Sequence, residues 1–511
     1  MAELASNNKR IAKNTVFLYI RMLLVMGVTL FTSRVVLQVL GEENYGIYNV
    51  VGGVVAMFSF FTSTLASTSQ RYFSYYIGQE NEDALIKIFR LNLTAFLILA
   101  LFIVILAESV GLWFINSQLN IPEERMFAMN IVYQCSVLTF VCAVVLVPYN
   151  ALIISFEKMS AFAYISIVEV TLKLLLTVSL FYFGGDKLII YAVLMLLSQI
   201  VITYYYYYYC RRHFQDIRYR FYWNREKISE VMSYSGWHLI GAISVMIRNQ
   251  GVNILLNTFF NPIVNAGRAI GFQVTAATDS LSHNFFLAAK PQLYKYYALN
   301  DFEELHKLLI RTTKVCVFLI VILAVPILTN TRYILSLWLV NVPSYAVIFT
   351  QLALVNAIFD ATNGPAIAAA LATAKIKWFE IITGGLMILN LPVSYLILYF
   401  GGTPESTVLV SIVLSLITIV IRAYILKRMI YLPVKEYLVN ACFMMFLVAL
   451  LSYMLTSFFN SVFNESFVRF VVTSLFSILV NILLFYGVAL NHTEKQWVTN
   501  NFINRILRRR K

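Results

Sequence analysis

Charged and amide side chains stand in the middle of long apolar runs, and they are the residues able to do chemistry here. In AISVMIRNQGVNILLN, Ala242–Asn257, Arg248 falls near the centre of a run whose flanks are apolar. Asn249, Asn253 and Asn257 recur at i, i+4 and i+8, so on a helix they form one stripe, with Ser244 and Arg248 along the adjoining rows. Arg21 and Arg34 lie in the first apolar run, and Arg268 opens the run after Asn257. A guanidinium stays charged and offers a planar fork of donors that matches phosphate oxygens. Four arginines with neighbouring amides therefore suit an anion that also carries polar groups. A charge at bilayer depth costs roughly 2.5–3.5 kcal/mol on insertion scales, so each needs a reason: a polar pathway, a structural partner, or a long side chain reaching the surface.

A second set could move charge. Asp279 and His283 stand at i, i+4 in the run opened by Arg268. Asp279 reads either as the ion-pair partner of Arg248 or as a carboxylate that exchanges a proton, and His283 either as a packed polar residue or as its relay. Asp360 lies mid-run and is followed by Asn363-Gly364-Pro365. Proline frees a carbonyl and glycine weakens a helix, so a kink or partial unwinding is expected beside the carboxylate. That is a common way to build a gate or ion site, although a kink alone is the plainer reading. Glu169 and Lys173, Glu first at i, i+4, read as a self-neutralised pair.

The elements holding these residues must be membrane helices. The chain has 511 residues, 60% hydrophobic and only 13% charged, where soluble domains are nearer half and a quarter. A span takes about 20 apolar residues. About fourteen spans are expected, near 14–38, 45–70, 88–114, 127–153, 160–183, 188–210, 231–258, 263–289, 310–338, 344–371, 378–400, 406–428, 437–459 and 466–489. With the N-terminus inside, inner segments hold 29 of the 39 basic residues and outer segments five, the bias of cytoplasmic loops. Both termini are thus expected in the cytoplasm. The basic start MAELASNNKRIAKN leads into a first span rather than a cleavable signal.

The net charge of +14 is read as this inner-loop bias, not as nucleic-acid binding, because no basic segment has the context of a nucleic-acid reader. Cys135, Cys142, Cys210, Cys316 and Cys442 are scattered and make no CxxC, so neither a disulfide framework nor a zinc site is expected. The Tyr204–Tyr209 run reads as an interfacial aromatic belt.

An internal repeat organises the spans. QRYFSYYIGQENEDALIKIFR, Gln70–Arg90, aligns without gaps to PQLYKYYALNDFEELHKLLIR, Pro291–Arg311, pairing Glu82 with Glu303 and Arg90 with Arg311; the same offset brings Gly46 onto Gly267. The expected division is 1–210, an N-terminal six-helix bundle; 211–228, a cytoplasmic linker; 229–430, a second six-helix bundle; 431–490, two further transmembrane helices; and 491–511, a basic cytoplasmic tail.

This all-α membrane architecture resembles the multidrug/oligosaccharidyl-lipid/polysaccharide exporter superfamily. Within it, NTVFLYIRMLLVMGVTLFTSRVVLQVLGEENYGIYNVVGG, Asn14–Gly53, resembles the opening of O-antigen (Wzx-type) polysaccharide-export flippases: an arginine inside the first helix, then the turn Leu40–Tyr48 into the second. The resemblance implies translocation of a polyprenyl-diphosphate-linked oligosaccharide across the bacterial inner membrane by alternating access. The arginines would meet the diphosphate, with Ala242–Asn257 as one wall of a cationic cavity. Polysaccharide polymerase or assembly proteins would be its partners. No Walker motif is present, so a proton or sodium gradient, or the membrane potential acting on the charges, is the candidate energy source, without a bound cofactor. An organic-cation antiporter of the same superfamily would need acids in the first span, which has none. A membrane glycosyltransferase or polymerase would need a long outer loop with acidic motifs, and a scaffold would not need mid-span arginines.

Overall fold

The turn expected after the first span is where the backbone leaves helical geometry. Gly41 sits at φ 76°, ψ 168° inside the otherwise continuous helix α1 (Ala2–Ala56), a conformation open to glycine and strained for other residues. A Cβ there would meet nothing within 4 Å, so the requirement is conformational rather than steric. The structure, a computed structural model, describes residues 2–56, 59–117, 123–214, 216–260, 262–339, 342–491 and 494–496. Gly46 and the side chains of Arg34 and Asn257 are outside what it describes.

The chain divides into two compact units. The first is Met1–Leu239 with Tyr294–Asn300, so it takes in the expected linker. It contains α1, α2 (Ser59–Gly78), α3 (Glu82–Leu106), α4 (Leu112–Ser117), α5 (Met126–Ser155), α6 (Met159–Ser179), α7 (Lys187–His213), the start of α8 (Arg225–Phe259) and the end of α9 (Pro262–Ala298). Helix α5 is the centre, packed against α1, α2, α3 and α7. Val51, Ile115, Met129, Val132 and Leu188 are buried together there.

The second unit is Ile240–Leu293 with Asp301–Lys511. After the middle of α8 and most of α9 it adds α10 (Phe302–Thr329), α11 (Thr331–Trp338), α12 (Ala346–Asp360), α13 (Asn363–Ala372), α14 (Lys377–Ile388), α15 (Asn390–Tyr399), α16 (Ser406–Ile430), α17 (Val434–Glu436), α18 (Met444–Ser461) and α19 (Phe467–Leu484). Val317, Ile320, Val321, Leu354, Ala357, Met445 and Val448 form its core between α10, α12 and α18. Helix α19 joins α18 on α10, where Asn330 donates to Thr473 Oγ1 at 3.2 Å. The chain beyond α19 docks by a buried ion pair, Lys314 Nζ to Glu494 Oε2 at 2.9 Å.

Among the described residues all regular structure is helical, and ten helices are long and apolar enough to cross a membrane. The other expected spans, 14–38, 45–70, 231–258 and 263–289, fall on α1, α2, α8 and α9, each of which holds residues outside the described set.

The repeat is visible in two helical turns, but its register differs from the expected one. Asn81 caps α3 by accepting from Ala84 N at 3.0 Å, and Asp301 caps α10 by accepting from Glu304 N at 3.1 Å. The residue before each cap has positive φ, 54° at Glu80 and 55° at Asn300. The structure thus pairs Asn81 with Asp301, not with Phe302 as the gapless alignment has it. Leu85, Ile88 and Phe89 then fall on Leu305, Leu308 and Leu309, all buried. Capping and burial set the register here; the matched tyrosines and arginines were a poorer guide.

Candidate functional site

Helix α12 stops at Asp360 and α13 begins at Asn363, which is the break expected from Gly364 and Pro365. Pro365 is buried in the first turn of α13, where its missing N–H leaves no intrahelical bond unmade. The break delivers Asp360 and Asn363 into one polar knot in the second unit. Asp360 Oδ1 accepts from Asn363 Nδ2 at 2.8 Å and from Ser415 Oγ on α16 at 2.9 Å. Its Oδ2 accepts from Asn356 Nδ2 at 2.8 Å and, at 3.4 Å, from Arg248 Nη2 on α8.

Arg248 is therefore paired with Asp360 rather than with Asp279, for which that pairing was one of two readings. Asp279 lies nearer in sequence, but the helix break brings the more distant carboxylate to the arginine. Both side chains remain partly open, 18% for Arg248 and 23% for Asp360. They line a cavity of about 10 Å³ with Asn363, Met387, Ser415 and Thr418, the scale that holds one water.

Behind the knot stands a residue that the sequence analysis did not single out. Arg422 on α16 is 2% exposed and donates to the side-chain carbonyl of Asn363. Its guanidinium lies 5.9 Å from the Phe379 ring centroid. Glu380, also unremarked in the sequence reading, is buried nearby on α14. A Cβ on Gly241 would run into its carboxylate, and one on Gly384 would come within 2.7 Å of Ser244 Oγ. Small residues thus bring α8 and α14 close together. Ser415, Thr418 and Arg422 follow i, i+3, i+7 along α16, a polar stripe in an apolar helix that could have marked them.

The other expected site residues divide. Arg268 is 5% exposed, donates to Asn253 Oδ1 and lies 4.3 Å over the Phe272 ring, so the amide stripe and the second arginine do meet. Asn249 and Asp279 are partly buried, and His283 is exposed. Arg34 and Asn257 fall outside the described side chains.

In the first unit, Arg21 stacks 4.5 Å over the Phe162 ring, within electrostatic range of Tyr206 and Glu169. Glu169 and Lys173 make the expected pair at 2.6 Å.

Each unit thus holds a mid-helix arginine beside an acid. Such sites can bind and release anions.

Comparison with known proteins adds a family and a fold. The sequence model described as polysaccharide biosynthesis protein matches residues 11–275. No curated protein matches. Among solved structures, an outward-facing multidrug resistance MATE family transporter of the MOP superfamily matches with TM-score 0.71 at 14% identity, over 82% of this chain and 96% of that one. MATE in the straight conformation matches at 0.69, again with 14% identity, over 83% and 97%. A MOP superfamily transporter from Pyrococcus furiosus, reported with a binding pocket of reversed polarity, matches at 0.67 and 13% identity, over 82% and 96%.

Proposed function

Since the chain belongs to the polysaccharide biosynthesis protein family, we propose that it is a flippase. Its substrate is an anionic polyprenyl-diphosphate-linked oligosaccharide, the repeat unit of an O-antigen, capsule or exopolysaccharide. It moves this from the inner to the outer leaflet of the bacterial cytoplasmic membrane by alternating access, with both termini cytoplasmic and no bond made or broken. Polymerase or assembly proteins receive the product.

The observation that supports this reading is the unequal grip on Asp360. Three donors hold it at 2.8–2.9 Å, and Arg248 at 3.4 Å. Arg248 is the one that can leave without stripping the carboxylate of its hydrogen bonds. A diphosphate offers it a bidentate, doubly charged alternative. Arg268, with its amide neighbour, provides a second cationic contact, and Arg21 and Arg34 serve as further headgroup contacts. Asp360, with Asn363 and Pro365 at the break and Asp279 and His283 on α9, is the candidate for coupling to a proton or sodium gradient.

The second reading, an ion-coupled organic-cation antiporter, draws on the MATE fold. The four arginines and the lack of an acid in the first span weigh against it.

The test is reconstitution of the full chain in liposomes whose inner leaflet carries labelled lipid-linked oligosaccharide, scored by its exposure to an external glycosidase. Wild type exposes the glycan. Arg248→Ala inserts normally but does not. Export by the variant equal to wild type removes Arg248 from the site, and export of organic cations in place of glycan favours the antiporter.

A further inference from the structure

The connection between α7 and α8 has no part in the site above, yet its conformation is fixed at both ends. Phe214 stacks on Phe156 with centroids 4.5 Å apart. Arg90 Nε donates to the carbonyl of Arg218 at 2.9 Å. Asn224 Oδ1 accepts from Lys227 N at 2.9 Å, capping the start of α8. From residue 216 to 224 the chain is not helical, and it exposes three large aromatics at alternate positions: Tyr219 at 41%, Phe221 at 73% and Trp223 at 51%. That spacing lines one side of an extended chain.

A water-facing loop held open in this way would leave its most apolar side chains uncovered. Aromatics beside arginines belong at the membrane interface, rings at headgroup level and guanidiniums among the phosphates. Position and charge agree. Helix α7 enters the connection through exposed Tyr204 and Tyr208. Residues 211–227 carry six basic side chains against Asp216 and Glu226, and a basic cluster next to a spanning helix attracts anionic leaflets.

We propose that residues 216–224 form an anionic-phospholipid binding element. The Tyr219, Phe221 and Trp223 rings insert at the interface, and Arg218 and Arg220, which alternate with them on the other side of the extended chain, bend their long stems back to the lipid phosphates. The occupant is the bilayer surface itself rather than a partner protein.

Spin labels at Phe221→Cys and Trp223→Cys, on an otherwise cysteine-free full chain in nanodiscs, read this out through their accessibility to oxygen and to a water-soluble nickel chelate. In discs containing phosphatidylglycerol, both labels should be more accessible to oxygen, and should shift toward the nickel chelate when the discs hold only phosphatidylcholine. Labels open to the chelate in both lipids overturn the proposal. Labels shielded from both reagents also overturn it, since protein then covers the segment. A second measurement avoids cysteine replacement: wild type should keep more phosphatidylglycerol through detergent washing than the Arg218→Gln, Arg220→Gln double variant, and equal retention counts against the element.

Discussion

Arg422 donates to the side-chain carbonyl of Asn363, and that contact decides which way the amide faces. A guanidinium has only donors and a carboxylate only acceptors. With its carbonyl committed to Arg422, Asn363 must turn its NH2 group to Asp360, which it reaches at 2.8 Å. A buried residue on α16 thereby sets the charge environment of Arg248 on α8 without touching it.

Replacing Arg422 by Met should free that amide and leave a buried carbonyl without its donor. The expected loss is about 1–3 kcal/mol of stability, read as a lowered midpoint of thermal unfolding in detergent. An unchanged midpoint, together with unchanged glycan export, would show that Asn363 needs no help to face Asp360.

Asp360→Asn fixes the neutral form of the carboxyl and places an NH2 group among donors. Export should fall, and what remains should no longer respond to collapse of the proton or sodium gradient. Liposomes with imposed gradients check this. If wild type itself exports equally with and without a gradient, Asp360 is a structural counter-ion and not a coupling residue.

Gly271 marks a different constraint. A Cβ there would come within 2.9 Å of the backbone of Phe349 and Thr350, and one on Gly267 within 3.0 Å of the backbone between Tyr345 and Ala346. Gly271→Val should overpack the α9–α12 contact and cost about 1–3 kcal/mol. Thermal unfolding reads the loss. Gly385→Val, where a Cβ would meet nothing within 4 Å, is the matched control and should fall near wild type.

Glu494 offers a test outside the knot. Its carboxylate meets Lys314, whose side chain is 3% exposed, and lies 3.8 Å from Arg311. Glu494→Ala leaves a buried ammonium without its counter-charge, at an expected cost of about 3–5 kcal/mol. Lys314→Met in the same chain should recover much of it. Failure of the second substitution to restore the unfolding midpoint would mean that the residues after α19 stabilise the protein in some other way.

Local chemistry was legible in the sequence wherever neighbours in the chain are neighbours in space. The turn at Gly41, the break before Gly364-Pro365 and the Glu169–Lys173 pair each depend on residues a few positions apart, and each is present. Membrane helices were legible from apolar length. The partner of Arg248 was not, because Asp360 lies on a helix reached only after three others. Arg422 and Glu380 were passed over because the sequence around each does not show what it meets: the Ser415–Thr418–Arg422 stripe marks a polar face of α16 but not its partners, and only the packing of α14 and α16 gathers them near Asp360. The repeat register slipped by one because matched tyrosines do not report where a helix is capped.

The contacts at Gly267 and Gly271 also bear on mechanics. Where two helices meet through interleaved side chains, rotamers can give and a small tilt of one is absorbed before the other feels it. Helix α9 rests on α12 backbone to backbone, so that cushion is missing. Force applied to α9 is passed to α12 as if through a rigid coupling, and the nearest compliant point along that line is the interruption at Ala361 and Thr362, directly beside Asp360.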